Sequence, residues 1–258
     1  MMRNGWKERL IEEPLIGCFA TFPSSSLTEY IASMGFDFIL IDNEHGAIDQ
    51  GIQEDMIRAA HCAGVPAVAR VPRNRPEYIQ KALDSGANGV QVPMTNTRRE
   101  VEEVVRSALF PPAGHRGVAF LPRAAAYGLH PDKADYLARS NREGVVTVHV
   151  ETVEAVANLD DMLETEGADV YFVGPGDLAI SMGYAHHPNH PEVLSVIEKC
   201  IRTIAARGKI AGTYVGTAER TRLAIEWGAH YLVTAVTPAM AEWSRQFLSQ
   251  VKGGGNRA

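Results

Sequence analysis

Apolar residues in this chain of 258 residues come in short blocks, separated by stretches in which they return every three or four positions. The blocks fall at residues 16–22, 36–42, 66–71, 89–93, 145–151, 170–174, 210–215 and 231–236. Each is apolar nearly throughout, the pattern of parallel strands covered on both faces. The intervening stretches read as amphipathic helices. Residues 97–110 (TRREVEEVVRSALF) set Val101, Val104, Val105 and Leu109 on one face, and residues 191–207 do the same with Val193, Val196, Ile197, Ile201 and Ile204. Many helices open on Ser, Asp or Thr and stop at Gly, as in SSSLTEYIASMG and TAERTRLAIEWG. MGFDF, SGANGV, EGADVYF and WGAHYL are helix–Gly–strand junctions rather than a sequence repeat.

Eight strands alternating with helices predict a single (β/α)8 TIM barrel spanning residues 1–258 as one domain. The runner-up, a doubly wound open sheet, would usually carry a Gly-rich phosphate loop after its first strand, and GCFATFPSSS is not one. Residues 110–144 are richer in Pro, Arg and Gly. In a barrel they form an extended strand-to-helix excursion, a common place for substrate contacts. The tail is expected to be disordered from residue 252.

Composition narrows the function. A net charge of −6 with no Lys/Arg block argues against nucleic acid or an anionic membrane as the main partner. Cys18, Cys62 and Cys200 are odd in number and widely spaced, so they read as reduced, mostly buried thiols. The opening MMRNGWKERLIEEP places charges where a signal peptide needs its apolar region, and no apolar run approaches membrane-spanning length. A soluble, cytoplasmic protein is expected.

Catalytic groups of such barrels come from the carboxyl ends of strands. Here FILIDNEHG (residues 38–46) delivers Asp42, Glu44 and His45 after the second block, Arg70 closes the third, Glu151 ends the fifth and Asp177 follows the sixth. Glu151 and Asp177 would sit on adjacent strand ends, where like charges repel unless one is protonated or a cation lies between them. Two carboxylates with open positions suit Mg²⁺ or Mn²⁺ better than zinc; a structural pair is the competing reading. The turn of Gly174, Pro175 and Gly176 exposes backbone N–H groups to a substrate carboxylate. Arg70 reads either as a buried bridge to Asp or Glu or as the partner of a developing oxyanion. His45, with Asp42 three residues earlier to orient its ring, is a candidate general base, and Glu44 supports the loop or the chemistry.

IDNEHG, PPAGHRGVAF (111–120), VHVET (148–152) and VGPGDLAISMGYAHHPNHPEV (173–193) resemble the HpcH/HpaI aldolases in order and spacing, over most of the chain. The resemblance implies a metal-dependent, class II aldolase. It would reversibly cleave a 4-hydroxy-2-keto acid to pyruvate and an aldehyde through a pyruvate enolate formed at the metal. It implies Glu151 and Asp177 as ligands of a divalent metal, Mg²⁺ first, with Mn²⁺ or Co²⁺ as alternatives. It further implies His45 and Asp42 as a catalytic pair, Arg70 as enolate stabiliser, Asp84 as an acidic assistant to the histidine, and the backbone of Gly176 and Asp177 against the substrate carboxylate. Family members swap their last helix between subunits of trimer-of-dimers hexamers, which would make Trp243, Phe247 and Leu248 interface residues. The departures ring the substrate pocket: His149 replaces a usual substrate-contacting Gln, Tyr214 a frequent Leu, Phe19 a Trp and Thr237 a common Asp. Related branches, a siderophore-pathway citrate synthase joining oxaloacetate to acetyl-CoA and macrophomate synthase, reuse the same site. Arg116, Arg123 and His149 would tolerate an acidic acceptor.

Overall fold

The apolar blocks become eight strands: β1 (Leu15–Ala20), β2 (Phe38–Asp42), β3 (Ala67–Arg70), β4 (Gly89–Val92), β5 (Val145–Val150), β6 (Val170–Val173), β7 (Ile210–Tyr214) and β8 (Ala229–Ala235). The computed structural model describes residues 5–184 and 187–252. Each strand runs parallel to its sequence neighbours, and β8 pairs with β1 to close the barrel. That last ladder makes the fold the expected (β/α)8 barrel and excludes the open sheet. The helix expected over 97–110 runs Arg98–Ala108, begun by a capping box between Thr97 and Glu100; the one over 191–207 runs Pro191–Ala206.

Alternate residues of each strand point into the barrel, and their chemistry changes from one end to the other. The amino end is an apolar plug of Leu15, Phe38, Leu40, Val68, Val145, Val170 and Val233. Trp6, on the helix Trp6–Glu12 that no apolar block announced, closes it from below with its ring centroid 6.0 Å from that of Phe38. Gly17 leaves the space that Phe38 fills, for a Cβ there would come within 2.3 Å of the ring. Above the plug the interior turns polar, through Gln91, Thr147 and His149 to Asp42, Arg70 and Glu151, all buried. Buried polar groups persist only when hydrogen-bonded, so this upper half is where interactions must be specific.

The excursion at 110–144 departs from expectation. It carries the 3₁₀ segment Arg123–Gly128 and the helix Lys133–Glu143 and runs down the outside of the barrel. Arg116 donates to Asp84 at 2.6 Å, and Arg123 donates to His61 Nδ1 at 2.9 Å and to the Ser85 carbonyl at 3.3 Å. Asp84 and His61 lie in the last turns of the helices Pro76–Asp84 and Gln50–Cys62, which run antiparallel to the strands and end at the amino face. Within the chain, Arg116 and Arg123 are thus at the opposite end from the strand tips and do not meet a substrate there.

The last helix, Thr237–Lys252, buries no residue; Trp243, Phe247 and Leu248 stay exposed, with Trp243 stacked on Phe247 at 5.4 Å. Lys252 ends this helix, and the rest of the expected disordered tail lies outside the described residues. Among the described residues no helix is long and apolar enough to cross a membrane. Cys18 and Cys200 are buried, whereas Cys62 is exposed.

Candidate active site

Asp42 and Arg70 are register partners at the tips of β2 and β3, so both side chains enter the barrel together. Arg70 grips Asp42 with two parallel bonds, Nε to Oδ1 at 2.9 Å and Nη2 to Oδ2 at 2.7 Å. Burial alone would raise the Asp42 carboxyl; the guanidinium and two backbone N–H donors outweigh it and hold it below its ordinary value. Those donors are the N–H groups of Glu44 and His45, at 3.1 and 3.2 Å from Oδ1. The turn they make is the local preference of an Asp at the head of a loop. It swings Glu44 back over the barrel, where its carboxylate meets Arg70 Nη1 at 2.9 Å. Burial pushes the Glu44 carboxyl up despite Arg70.

Asp42 therefore orients the His45 backbone rather than its ring. The imidazole is 66% exposed, and Glu44 Oε2 stands 3.9 Å from its Nε2. The expected ring contact from Asp42 is replaced by the bidentate arginine, because a buried guanidinium demands a full carboxylate.

Glu151 follows β5 and is 3% exposed. The Met94 N–H donates to its Oε1 at 2.7 Å and His149 Nδ1 lies 2.6 Å from its Oε2. Burial would raise this carboxyl too; His149, the Met94 N–H and Arg70 reverse the effect and hold it low. His149 Nε2 lies 2.8 Å from Gln91 Nε2, and the ring stacks on Phe172 at 5.0 Å. Both nitrogens of His149 are thus engaged by protein groups. Gly174 presses on Glu151: a Cβ there would stand 2.9 Å from Oε2.

Asp177 and Gly176 occupy the first turn of the helix Pro175–Ser181, just beyond β6. The Asp177 carboxylate is exposed and has no hydrogen-bond or ion-pair partner among the described residues, and the space over Gly176 is open to 4 Å. Tyr214 closes β7 half-buried, its ring 6.3 Å from that of Phe19, and Phe19 in turn lies 5.0 Å under the Arg70 guanidinium. Thr237 begins the last helix beside Phe19 at the rim. Asp84 does not join this group within the chain; its partner is Arg116 at the amino face.

Three contributors escaped the sequence reading. Gln91 was visible as the one polar residue in the apolar strand GVQV. Tyr231 looked like core, yet its hydroxyl crosses the barrel to Gln91 Oε1 at 2.9 Å. Met94 acts through its backbone at φ 55°, a conformation no side-chain pattern announces.

The donor set fits a hard divalent cation. Glu151 is an anion clamped from three sides, Asp177 is unengaged, and both offer carboxylate oxygens. Among the described residues no group of three or more His, Cys, Asp or Glu forms a metal cage, so substrate and water oxygens would complete the shell, the habit of Mg²⁺.

The profile of the HpcH/HpaI aldolase/citrate lyase family matches residues 15–239. A 2-keto-3-deoxy-L-rhamnonate aldolase of Escherichia coli O9:H4 (strain HS) is 35% identical over 260 aligned positions, covering 99% of this chain and 96% of its own. A 4-hydroxy-2-oxo-heptane-1,7-dioate aldolase of Escherichia coli (strain ATCC 8739) is 37% identical over 239 positions, covering 91% and 89%. The crystal structure of the citrate synthase SbnG superposes with a TM-score of 0.85 at 27% identity, covering 96% of this chain and 98% of that one. By its barrel, its strand-tip residues and these likenesses, the chain belongs to the HpcH/HpaI aldolase/citrate lyase family.

Proposed function

We propose that this protein reversibly cleaves a 4-hydroxy-2-keto acid to pyruvate and an aldehyde, using a divalent metal held by Glu151 and Asp177. The observation that carries the reading is Arg70, fixed by Asp42 and Glu44 beside Glu151 at the barrel mouth. A guanidinium has five N–H donors; three are used here, leaving two for an oxyanion. In the cleavage direction the 4-hydroxyl loses its proton, the C3–C4 bond breaks and the aldehyde carbonyl forms. The electron pair passes to C3 and onto the C2 oxygen, where Arg70 stabilises the charge. His45, exposed at the mouth with Glu44 nearby, carries the proton out and returns one to C3, directly or through water. The metal, Mg²⁺ with Mn²⁺ or Co²⁺ as substitutes, supplies Lewis acidity.

The citrate-synthase reading rests on the shared barrel; 27% identity against 35% and 37% to the aldolases favours the aldolase. The uncovered apolar stripe on Thr237–Lys252 supports exchange of that helix between subunits of a hexamer. The net charge of −6 and the free thiols fit a one-domain cytoplasmic enzyme.

The deciding experiment incubates protein and Mg²⁺ with pyruvate plus a panel of aldehydes, and separately with oxaloacetate plus acetyl-CoA. New hydroxy-keto acid in the first tube, abolished by EDTA and by Glu151→Gln, supports the proposal. CoA thiol released in the second with no product in the first replaces it by the citrate-synthase reading, and full activity in metal-free protein removes the metal.

A further inference from the structure

The partners of His149 fix the direction of a hydrogen-bond chain through the barrel. An amide nitrogen only donates, so Gln91 Nε2, 2.8 Å from His149 Nε2, faces a lone pair there. The ring proton then sits on Nδ1, aimed at Glu151 Oε2 at 2.6 Å. Tyr231 holds the amide in this sense, its hydroxyl donating to Gln91 Oε1 at 2.9 Å from the far side of the barrel. The reversed amide would place Oε1 on His149 Nε2 and require a ring proton there. A doubly protonated ring would satisfy both acceptors and is the alternative the experiment separates, whereas a neutral ring would leave a bare Nδ1 against an anionic oxygen of Glu151. That arrangement is repulsive in a buried site. No water can repair it, since Tyr231 and Gln91 are fully buried and His149 is 1% exposed. Phe172 fixes both ring planes, stacking on His149 and meeting Tyr231 edge-on at 6.0 Å and 90°.

We propose that Tyr231, Gln91 and His149 form a one-way relay that positions the Glu151 carboxylate, with His149 a positioning residue rather than a substrate ligand. The relay supplies one of two clamps. The other is the Met94 N–H on Oε1, held by a non-glycine residue at φ 55°, a conformation kept only where the surroundings enforce it. With one N–H on each oxygen and Gly174 against Oε2, the carboxylate is held in one orientation. The relay stands on this geometry and a singly protonated ring; its effect on a cation rests on the proposed function.

Two readouts keep these apart. In metal-free protein labelled with ¹⁵N-histidine, long-range proton–nitrogen correlation should show His149 protonated on Nδ1. Tyr231→Phe, which keeps the ring packing and removes only the hydroxyl, and Gln91→Leu should both mix the two tautomers. Mn²⁺ affinity, read by electron paramagnetic resonance, should fall about 10–100-fold in Gln91→Leu and His149→Leu, the usual effect of losing a group that orients a ligand. His149 protonated on Nε2 in the unaltered protein, alone or together with Nδ1, overturns the relay. So does a single unchanged tautomer in folded Tyr231→Phe. Mn²⁺ affinity within twofold of normal in folded His149→Leu overturns the positioning role. Should the unaltered protein bind no Mn²⁺, the proposed function fails while the tautomer still decides the relay.

Discussion

Replacing Arg70 by Met keeps most of the side-chain volume and removes the guanidinium. Its three contacts are 2.9, 2.7 and 2.9 Å long, and its partners Asp42 and Glu44 have side-chain exposures of only 2% and 17%. Breaking a buried pair from one side costs about 3–5 kcal/mol, because the remaining charge stays buried. At about 2–4 °C per kcal/mol for a chain of this size, Tm should fall by about 6–20 °C. The loss should also depend on pH. In the intact protein Asp42 titrates below its unfolded value, so it stabilises above about pH 4 and that stability is lost as pH falls through the folded pKa. Without Arg70, only the two backbone N–H donors still oppose burial, so the stabilisation that Asp42 gives above about pH 4 shrinks. Urea unfolding should show a gap between the two proteins that is wide at pH 7 and narrow at pH 4. Exchange of solvent deuterium into the pyruvate methyl group, without aldehyde, should slow about 100–1000-fold, the scale of a lost oxyanion donor. A cost below about 1 kcal/mol, the range of exposed pairs, or a gap independent of pH would refute the buried-pair argument. Unchanged exchange would take Arg70 out of the chemistry.

Gly174→Ala should cost about 1–3 kcal/mol of stability by overpacking, since its Cβ would stand 2.9 Å from Glu151 Oε2; Mn²⁺ affinity should fall with it, and an unchanged affinity would mean the carboxylate is not confined there. Burial pushes Cys18 and Cys200 up to about 11, so at pH 8 a thiol reagent should modify only the exposed Cys62 quickly, the other two reacting after unfolding; three fast thiols would contradict the packing. Trp243→Glu combined with Phe247→Glu should lower the mass seen by sedimentation velocity, and a monomeric unaltered protein would remove the idea that a second copy covers this helix.

The barrel was legible because parallel strands buried on both faces leave continuous apolar runs, and every such run became a strand. The charged tips were legible for the related reason that an apolar run ending in Asp42, Arg70 or Glu151 has few places to put the charge except the barrel mouth. Partner choice was less legible. Asp42 and His45 are three residues apart, which suggested a contact between side chains, but Arg70 on the next strand offers Asp42 two donors at matched geometry and the ring offers one. Asp84 and Arg116 reached the amino face because a helix reverses direction relative to its strand, so a residue's place along the helix decides which end it serves. The Gln91, His149 and Tyr231 chain joins β4, β5 and β8, and nothing in a linear pattern links residues so far apart.

The electrostatics of the mouth give an independent reason for a cation there. Arg70 is the guanidinium at the tip of β3, and Asp42 takes two of its bonds while Glu44 takes a third. Burial raises the Glu44 carboxyl, and Asp42, held low, is matched by Arg70. Glu151 is held low by His149, the Met94 N–H and Arg70, yet Arg70 is already bonded to two other carboxylates. A carboxylate kept anionic and buried without a counter-ion of its own is costly, and Asp177 adds a second in the first turn of the helix after the neighbouring strand. Two carboxylates call for two positive charges, the charge of the divalent ion that the oxygen donors suit. An apolar core would have tolerated Gln or Leu at 151 more easily than Glu. The carboxylate is stable only in company, and the relay beneath it fixes its direction without neutralising it.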